Sequence, residues 1–340
     1  MKKLLALILA LVTVFTFAAC TVGYTDDKDQ TNENEQNDNN SDEKVTVKVA
    51  VLSGPTGMGI VKMIADNNAG KTDNKYVIDI FADPTEVIAK VKLGEYDLAA
   101  LPTNVAAKLY NMQDVDIQMA AINTLGVLYM LEADGNIVNS IADLRGKTIY
   151  ANGQGSNPQY VLEHLLEKNG LVIGTDVNIV YEADADKVVA ALTNKTTNVV
   201  MLPEPKVTAT LKQLENVRVA LDMTEEWNKV EDYQLTQGCV VVQSKFVKDH
   251  KAQLDKFLDE YKASIDFVNA NVDEASQLVV DAGIIAKAPI AKLAIPGCKL
   301  TFIEGEQMKN CASPFYGVMH KSNPASIGGS IPDDDFYYSR

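Results

Sequence analysis

From Val45 onward the apolar and polar positions repeat as strand, glycine-containing turn, helix. Residues 45–52 (VTVKVAVL) alternate with the period of two of a half-buried strand. Gly54, Pro55 and Gly57 end that run, and residues 58–68 take up helical spacing. The pattern then predicts a strand at 76–81, a helix at 84–92, a strand at 96–101 and a helix at 103–111. Strands alternating with helices imply parallel sheets covered on both faces. The same order recurs after residue 146. Sliding the chain by 101 positions aligns Ala50 with Ala151, Gly54 with Gly155 and Ala82-Asp83 with Ala183-Asp184. It also aligns Val87 with Val188, and Leu101-Pro102 with Leu202-Pro203. Two α/β lobes of similar topology account for this; convergent patterning in two α/β units is the alternative.

Strand-like runs at 117–123 and 126–132 precede the second unit, and another at 236–243 follows it. Two such crossings between lobes make a hinge. The expected fold is therefore α/β with two lobes: residues 45–125 are the first part of lobe 1 and 126–235 are lobe 2. Residues 236–340 are a return strand and a C-terminal helical region, at least partly lobe 1, with helices at about 246–270, 272–284 and 288–294. Ligands bind outside the carboxyl ends of strands in open α/β sheets, which nominates the turns at 53–57, 101–104, 153–158 and 202–205.

The amino terminus has a different pattern. Met1, Lys2 and Lys3 precede an apolar run over 4–17, too short for a bilayer span but suited to a signal-peptide core. It ends in Phe17-Ala18-Ala19-Cys20, which resembles a bacterial lipobox and implies cleavage after Ala19 and lipidation of Cys20; an uncleaved anchor helix is the alternative. Residues 21–44 hold eight acids and two lysines, with Val22 and Tyr24 the only large apolar residues. Such a stretch cannot offset its ordering entropy by burial. As a tether it reaches roughly 25–30 Å.

Composition narrows the chemistry. The 340 residues carry 31 basic and 46 acidic side chains, a net charge of −15, which argues against nucleic acid. Three arginines (Arg145, Arg218, Arg340), three histidines and four cysteines leave little for a multi-ligand metal site, and no cofactor is expected. Gly54–Gly59 has P-loop glycine spacing, but Ile60 and Val61 replace the Lys and Ser/Thr. Ser156 lacks the glycines of a nucleophile elbow. His164, His250 and His320 stand in no metal spacing, and Asp83 and Asp184 read as helix N-caps. No catalytic residue is assigned. With Cys20 lipidated, Cys298 and Cys311 are candidates for a disulfide, and Cys239 reads as a buried thiol.

The lipobox, GPTGMG (54–59), LPTN (101–104), SIADLRGK (140–147), GQGSNP (153–158), LPEP (202–205), Trp227 and NPASIGGSIPDDDFYY (323–338) resemble type II bacterial solute-binding proteins. The resemblance is nearest to the nitrate/sulfonate/taurine branch, which also contains binders of thiamine pyrimidine precursors. It implies a periplasmic-binding-protein-like fold and capture of a solute by lobe closure. It also implies delivery to the permease of an ABC importer by a monomer held on the outer membrane face through its lipid. The low-Arg, Asn/Lys/Asp-rich composition suggests a Gram-positive source. An extracellular ligand-sensing subunit is the alternative, and less so an enzyme on the same fold, as in cytoplasmic menaquinone-pathway proteins.

The candidate binding residues follow from the four turns and their neighbours. Gly54, Pro55, Thr56 and Gly57 leave a strand for a helix, so backbone N–H groups and the helix dipole face the cleft. Thr103, Asn104 and Thr124 stand beside them, and Gly155, Ser156 and Asn157 offer the same on the opposite wall. No arginine lies in these turns, which argues against an arginine–carboxylate grip. Glu204 would repel a sulfonate and accept bonds from an aminopyrimidine or cation, or else serve as a first-turn acid beside Pro205. Trp227, Tyr129 and Tyr160 are candidates to stack on a flat ring, or core residues. The ligand is expected to be anionic or aminopyrimidine-like.

Overall fold

The computed structural model describes residues 44–340; the leader, Cys20 and nearly all of the tether lie outside the described residues. The chain first lays down β1 (Thr46–Leu52), α1 (Pro55–Met58), α2 (Val61–Asn68), β2 (Lys75–Phe81), α3 (Pro84–Lys92), β3 (Leu98–Pro102), α4 (Thr103–Tyr110) and β4 (Ile117–Leu125). It crosses to β5 (Leu128–Ala133) and continues through β6 (Thr148–Asn152), α5 (Asn157–Lys168), β7 (Asn178–Glu182) and α6 (Ala185–Thr193). Next come β8 (Val199–Pro203), α7 (Lys206–Gln213), β9 (Val217–Asp222) and α8 (Met223–Asn228). β10 (Thr236–Gln243) returns, followed by α9 (Ser244–Asp249), α10 (Lys251–Ala270), α11 (Val272–Asp281), α12 (Ala288–Ala294), β11 (Leu300–Ile303) and α13 (Gly305–Ser322).

Two sheets result, ordered β11-β4-β10-β3-β1-β2 and β7-β6-β8-β5-β9. The trios β2-β1-β3 and β7-β6-β8 are parallel, as the alternation of strands and helices predicts. Beside each trio runs a strand newly arrived from the other sheet, β10 on β3 and β5 on β8, and both pair antiparallel. The sheets are therefore mixed rather than all parallel, because the two crossings each insert a reversed strand. The crossings lie side by side where Thr236 pairs with Leu125. At Gly126 the chain passes so close to the Thr224 side chain that a Cβ would collide with its hydroxyl.

The internal repeat is real in its spacing and slips once. α3 and α6, and β3 and β8, begin and end 101 residues apart. In the first strands the offset is 100: Val49 pairs with Leu98 as Ile149 pairs with Val199. That register puts Ile149 and Ala151 inside, and a slip of one residue would turn them out. Asp83 and Asp184 cap their helices, accepting from Thr85 N at 2.8 Å and Lys187 N at 2.9 Å.

Three helical expectations change. The helix read over 58–68 is two pieces, because Ser264 Oγ donates to Gly59 O at 2.7 Å and accepts from Met63 N at 3.1 Å, drawing the break onto α10. The run 246–270 divides at His250 into α9 and α10. α13 went unread, since Gly305, Pro314 and Gly317 interrupt its pattern. It packs on α4 and β4 of one lobe and α5 of the other, with Phe315, Tyr316 and Met319 wholly buried. Cys239, Cys298 and Cys311 are all free and buried, so no disulfide joins the last two.

One ion pair ties the second lobe together. Glu132 is fully buried, 2.6 Å from Arg218 Nη2, and accepts N–H bonds from Ile137 and Val138. Removing the guanidinium leaves a buried carboxylate without its cation. Arg218→Met is expected to cost about 3 kcal/mol, read as a lowered urea midpoint; an unchanged midpoint would show the pair to be neutral.

Candidate functional site

The turns nominated by the repeat meet at the seam between the sheets, with unequal parts. In the first lobe, Thr56 O accepts from Asn123 Nδ2 at 3.1 Å, and that amide also donates to Tyr261 Oη at 2.9 Å. Thr124 Oγ1 donates to Asn123 Oδ1 at 3.1 Å. Gly238 lies against Thr56, Asn123 and Thr124, where no side chain fits. These residues form one wall. Gly54 has φ 120°, a backbone only glycine adopts freely, and Pro55 starts α1.

Two of the N–H groups of this turn are spent within it. α1 is a single turn, and Gly57 N and Met58 N both donate back to Gly54 O, at 3.0 and 3.1 Å. Gly57 itself is buried with its Cα against the Leu52 carbonyl, so it serves packing. Gly155 and Ser156 are likewise spent locally: Gly155 N donates to Gln159 Oε1 at 2.7 Å and Ser156 Oγ to Gly153 O at 2.8 Å.

Asn157 does reach across. Its Nδ2 donates to Thr103 Oγ1 and to Gln237 O, each at 3.0 Å, joining α5 of the second lobe to α4 and β10 of the first. Because the Gln237 carbonyl can only accept, the amide orientation is determined and Asn157 Oδ1 is left free. Around this bridge Asn104 Oδ1, Asn157 Oδ1, Thr236 Oγ1 and Gln237 Nε2 are all buried without a hydrogen-bond partner. Their residues are 5, 2, 0 and 8 % exposed. Each such group costs about 1–3 kcal/mol if left unpaired; Asn152, Tyr181, Thr224 and Tyr337 carry further ones, and the four around the bridge make this seam the candidate place for a polar partner.

Glu204 takes up the helix-end role. Its carboxylate accepts from Thr208 N at 3.1 Å and Thr208 Oγ1 at 2.9 Å, serving the start of α7. It also lines a cavity of about 400 Å³ with Tyr129, Val207, Thr208, Leu211, Lys212, Val219 and Leu293. Burial pushes its carboxyl above the usual range, and the two Thr208 bonds oppose that only in part.

Trp227 does not face the cleft. It is wholly buried, donates Nε1 to Tyr233 O at 3.0 Å and packs edge-on against Phe315. Tyr160 is core as well, at 1 % exposure; Tyr129 alone of the three aromatics lines the cavity. The arginines are all engaged elsewhere: Arg145 with Asp176, Arg218 with Glu132, Arg340 with Asp259 and Glu304. Sequence reading missed Asn123, Thr236, Gln237 and Gly238. They lie on the crossing strands, where the only signal is polar residues at the ends of apolar runs (AAINTL and TQGCVVV).

Two mixed sheets, a paired-strand crossing and a polar seam between lobes define a periplasmic-binding-protein-like chain. The NMT1/THI5 like family matches residues 77–275, more than half the sequence, and the chain belongs to that family. Among solved structures it is similar to an ABC transporter from Parabacteroides distasonis, with TM-score 0.73 and 21 % identity over 87 % of this chain and 100 % of that one. It is also similar to the periplasmic aliphatic sulphonate binding protein SsuA from Escherichia coli, with TM-score 0.70 and 16 % identity over 86 % and 92 %. The desulfurization enzyme DSZB shares the fold at TM-score 0.60 and 10 % identity, over 86 % and 96 %. No curated protein gives a match. Among the described residues, no helix is long and apolar enough to cross a membrane, and no group of three His, Cys, Asp or Glu stands ready to hold a metal ion.

The Glu204 shift has a testable sign. A carboxyl whose folded value is raised binds its proton more tightly folded than unfolded, so it favours folding at low pH and that contribution is lost as pH rises through the folded value. Glu204→Gln lacks this loss. Its urea midpoint relative to wild type is expected to improve as pH rises above the ordinary glutamate value, about 4.3; a pH-independent difference would mean Glu204 is not desolvated in solution.

Proposed function

We propose that this chain captures a small polar solute at the seam between its lobes by hinge closure and presents it to the permease of an ABC importer. On this reading it is a lipoprotein, cleaved after Ala19 and held through Cys20 on the outer face of the cell membrane, in a Gram-positive source, as a monomer. The observation that carries the reading is the cluster of buried, unpartnered Asn104, Asn157, Thr236 and Gln237 groups beside the bridge from α5 to β10. A hinge with an unsatisfied polar seam is what a receptor needs, because a solute that completes those bonds stabilises only the closed form.

The donor set favours one ligand class. Asn104 Oδ1, Asn157 Oδ1 and the Glu204 carboxylate are acceptors, Gln237 Nε2 is a donor, the Thr236 hydroxyl can do either, and no arginine stands at the seam. A ring bearing N–H groups, such as an aminopyrimidine, complements that set better than a sulfonate or nitrate, which brings only acceptors. The sulphonate binding named for three structural neighbours is the competing assignment.

The test is a thermal-shift screen of the full chain, unfolded and refolded to strip carried-over solute. Nitrate, taurine and alkanesulfonates are set against aminopyrimidines and thiamine. A ligand at 100 times its Kd adds about 2.7 kcal/mol, enough to raise the midpoint by a few degrees. The N–H-bearing rings are expected to shift it; a shift with sulfonates alone would reverse the assignment. Asn104→Leu separates site from scaffold. It removes an unpaired buried oxygen, so the unliganded protein should be at least as stable as wild type, while affinity for the shifting solute falls about tenfold or more, about 1.4 kcal/mol. Calorimetric titration showing wild-type affinity would take Asn104 out of the site.

A further inference from the structure

Residues 295–299, an Ile-Pro-Gly-Cys-Lys turn between α12 and β11, belong to the first lobe and touch the second at three points. Their seat in the first lobe is firm. Ile295 and Cys298 are buried in its core, and Cys298 Sγ lies 3.6 Å from Met58 Sδ. From that seat the Gly297 carbonyl accepts a hydrogen bond from Tyr129 Oη at 3.0 Å. Gly297 also faces the Glu204 side chain, and Lys299 Nζ stands 3.4 Å from Asp222. Tyr129 is on β5, Glu204 follows β8 and Asp222 ends β9, all in the second sheet.

The contact at 297 is tight. A Cβ there would come within 3.0 Å of Glu204 Cγ and Oε1 and 3.3 Å of Tyr129 Oη. Glu204 cannot swing aside cheaply, because both of its oxygens are held by Thr208. Gly297 is not among the positive-φ glycines, so its backbone conformation does not call for glycine. The approach of the two lobes does.

We propose that this turn is the closure stop of the receptor, and that Gly297 is the positioning residue that lets the lobes meet at the separation where the polar seam converges. The proposal rests on the reading that the lobes close over a solute. A side chain at 297 pushes the lobes apart by a few tenths of an ångström and so strains the bonds of Asn157 Nδ2 to Thr103 and Gln237. The closed form is then less populated, and affinity falls by the same fraction.

The test is run without solute and again with each panel solute that raises the midpoint. Small-angle scattering compares the full-length wild type with Gly297→Ala, Tyr129→Phe and Gly317→Ala; the last is a control in α13, where a Cβ meets open space. Gly297→Ala is expected to show a larger radius of gyration than wild type and control, with unchanged circular dichroism, and Tyr129→Phe a smaller increase. Superimposable profiles for wild type and Gly297→Ala overturn the proposal. If Gly297→Ala does not fold, Tyr129→Phe decides, since it deletes one oxygen and adds no bulk; no expansion in that variant overturns the stop. The outcome is separable from solute capture. A chain that responds to no solute in the panel can still expand, and a solute shift without expansion removes only the stop.

Discussion

Everything at the seam depends on β10 lying in the middle of the first sheet, paired antiparallel with β3 on one side and β4 on the other. That placement forces the two chain crossings to run together at Thr236 and Leu125. It also fixes where the polar end of β10 falls. Cys239 to Val242 are buried apolar residues that anchor the strand in the core, so Thr236 and Gln237 must emerge at its start, beside Pro102 and Thr103. A strand clamped along most of its length carries its first residues with little freedom. The polar groups there are held in place before anything binds, which is what preorganisation requires.

The same constraint explains why the seam is made of amides and hydroxyls. The crossing strands are buried on both faces, and a charged group on them would have to be desolvated whenever the lobes close. Asn123, Asn157 and Gln237 supply directional bonds at a smaller desolvation penalty. Glu204 sits off the strands at the head of α7, where Thr208 N–H and hydroxyl share its charge. A site of this kind discriminates by the pattern of donors and acceptors, since a solute that leaves any of them unpaired in the closed form bears the full penalty.

Where periodicity is strong and the flanks are punctuated, the chain was legible from its sequence. α3 and α12 have the bounds that Pro84 and Pro289 and their apolar spacing imply, and β10 is bounded by polar residues at both ends. The two crossings between the sheets followed from unpaired strand-like runs. Two kinds of information were out of reach. The first is the one-residue slip at β6, since an ungapped alignment scores Ala50 with Ala151 while the register is decided by which face Ile149 must bury. The second is tertiary: α8 is amphipathic over six residues, and nothing in it says whether Trp227 points toward solute or toward Phe315. Glycine carried mixed messages for the same reason. Gly54 marks a special backbone and Gly57 a tight packing contact, and both look alike in GPTGMG.

α13 gives the seam its outer support. Tyr316 Oη donates to the Thr103 carbonyl at 3.0 Å, directly behind the hydroxyl that meets Asn157, and the far end of the helix ties to α5 through Lys321 and Glu167. One helix therefore touches both partners of the interlobe bridge, Thr103 from behind and α5 along its flank. The tie to the second lobe is not only this exposed pair, worth at most about 1 kcal/mol: Phe315 of the same helix packs edge-on against the buried Trp227. α13 is therefore anchored in both lobes, by Tyr316 and Thr103 on one side and by Phe315 and Trp227 on the other, and it holds the seam from behind through buried contacts rather than surface charge.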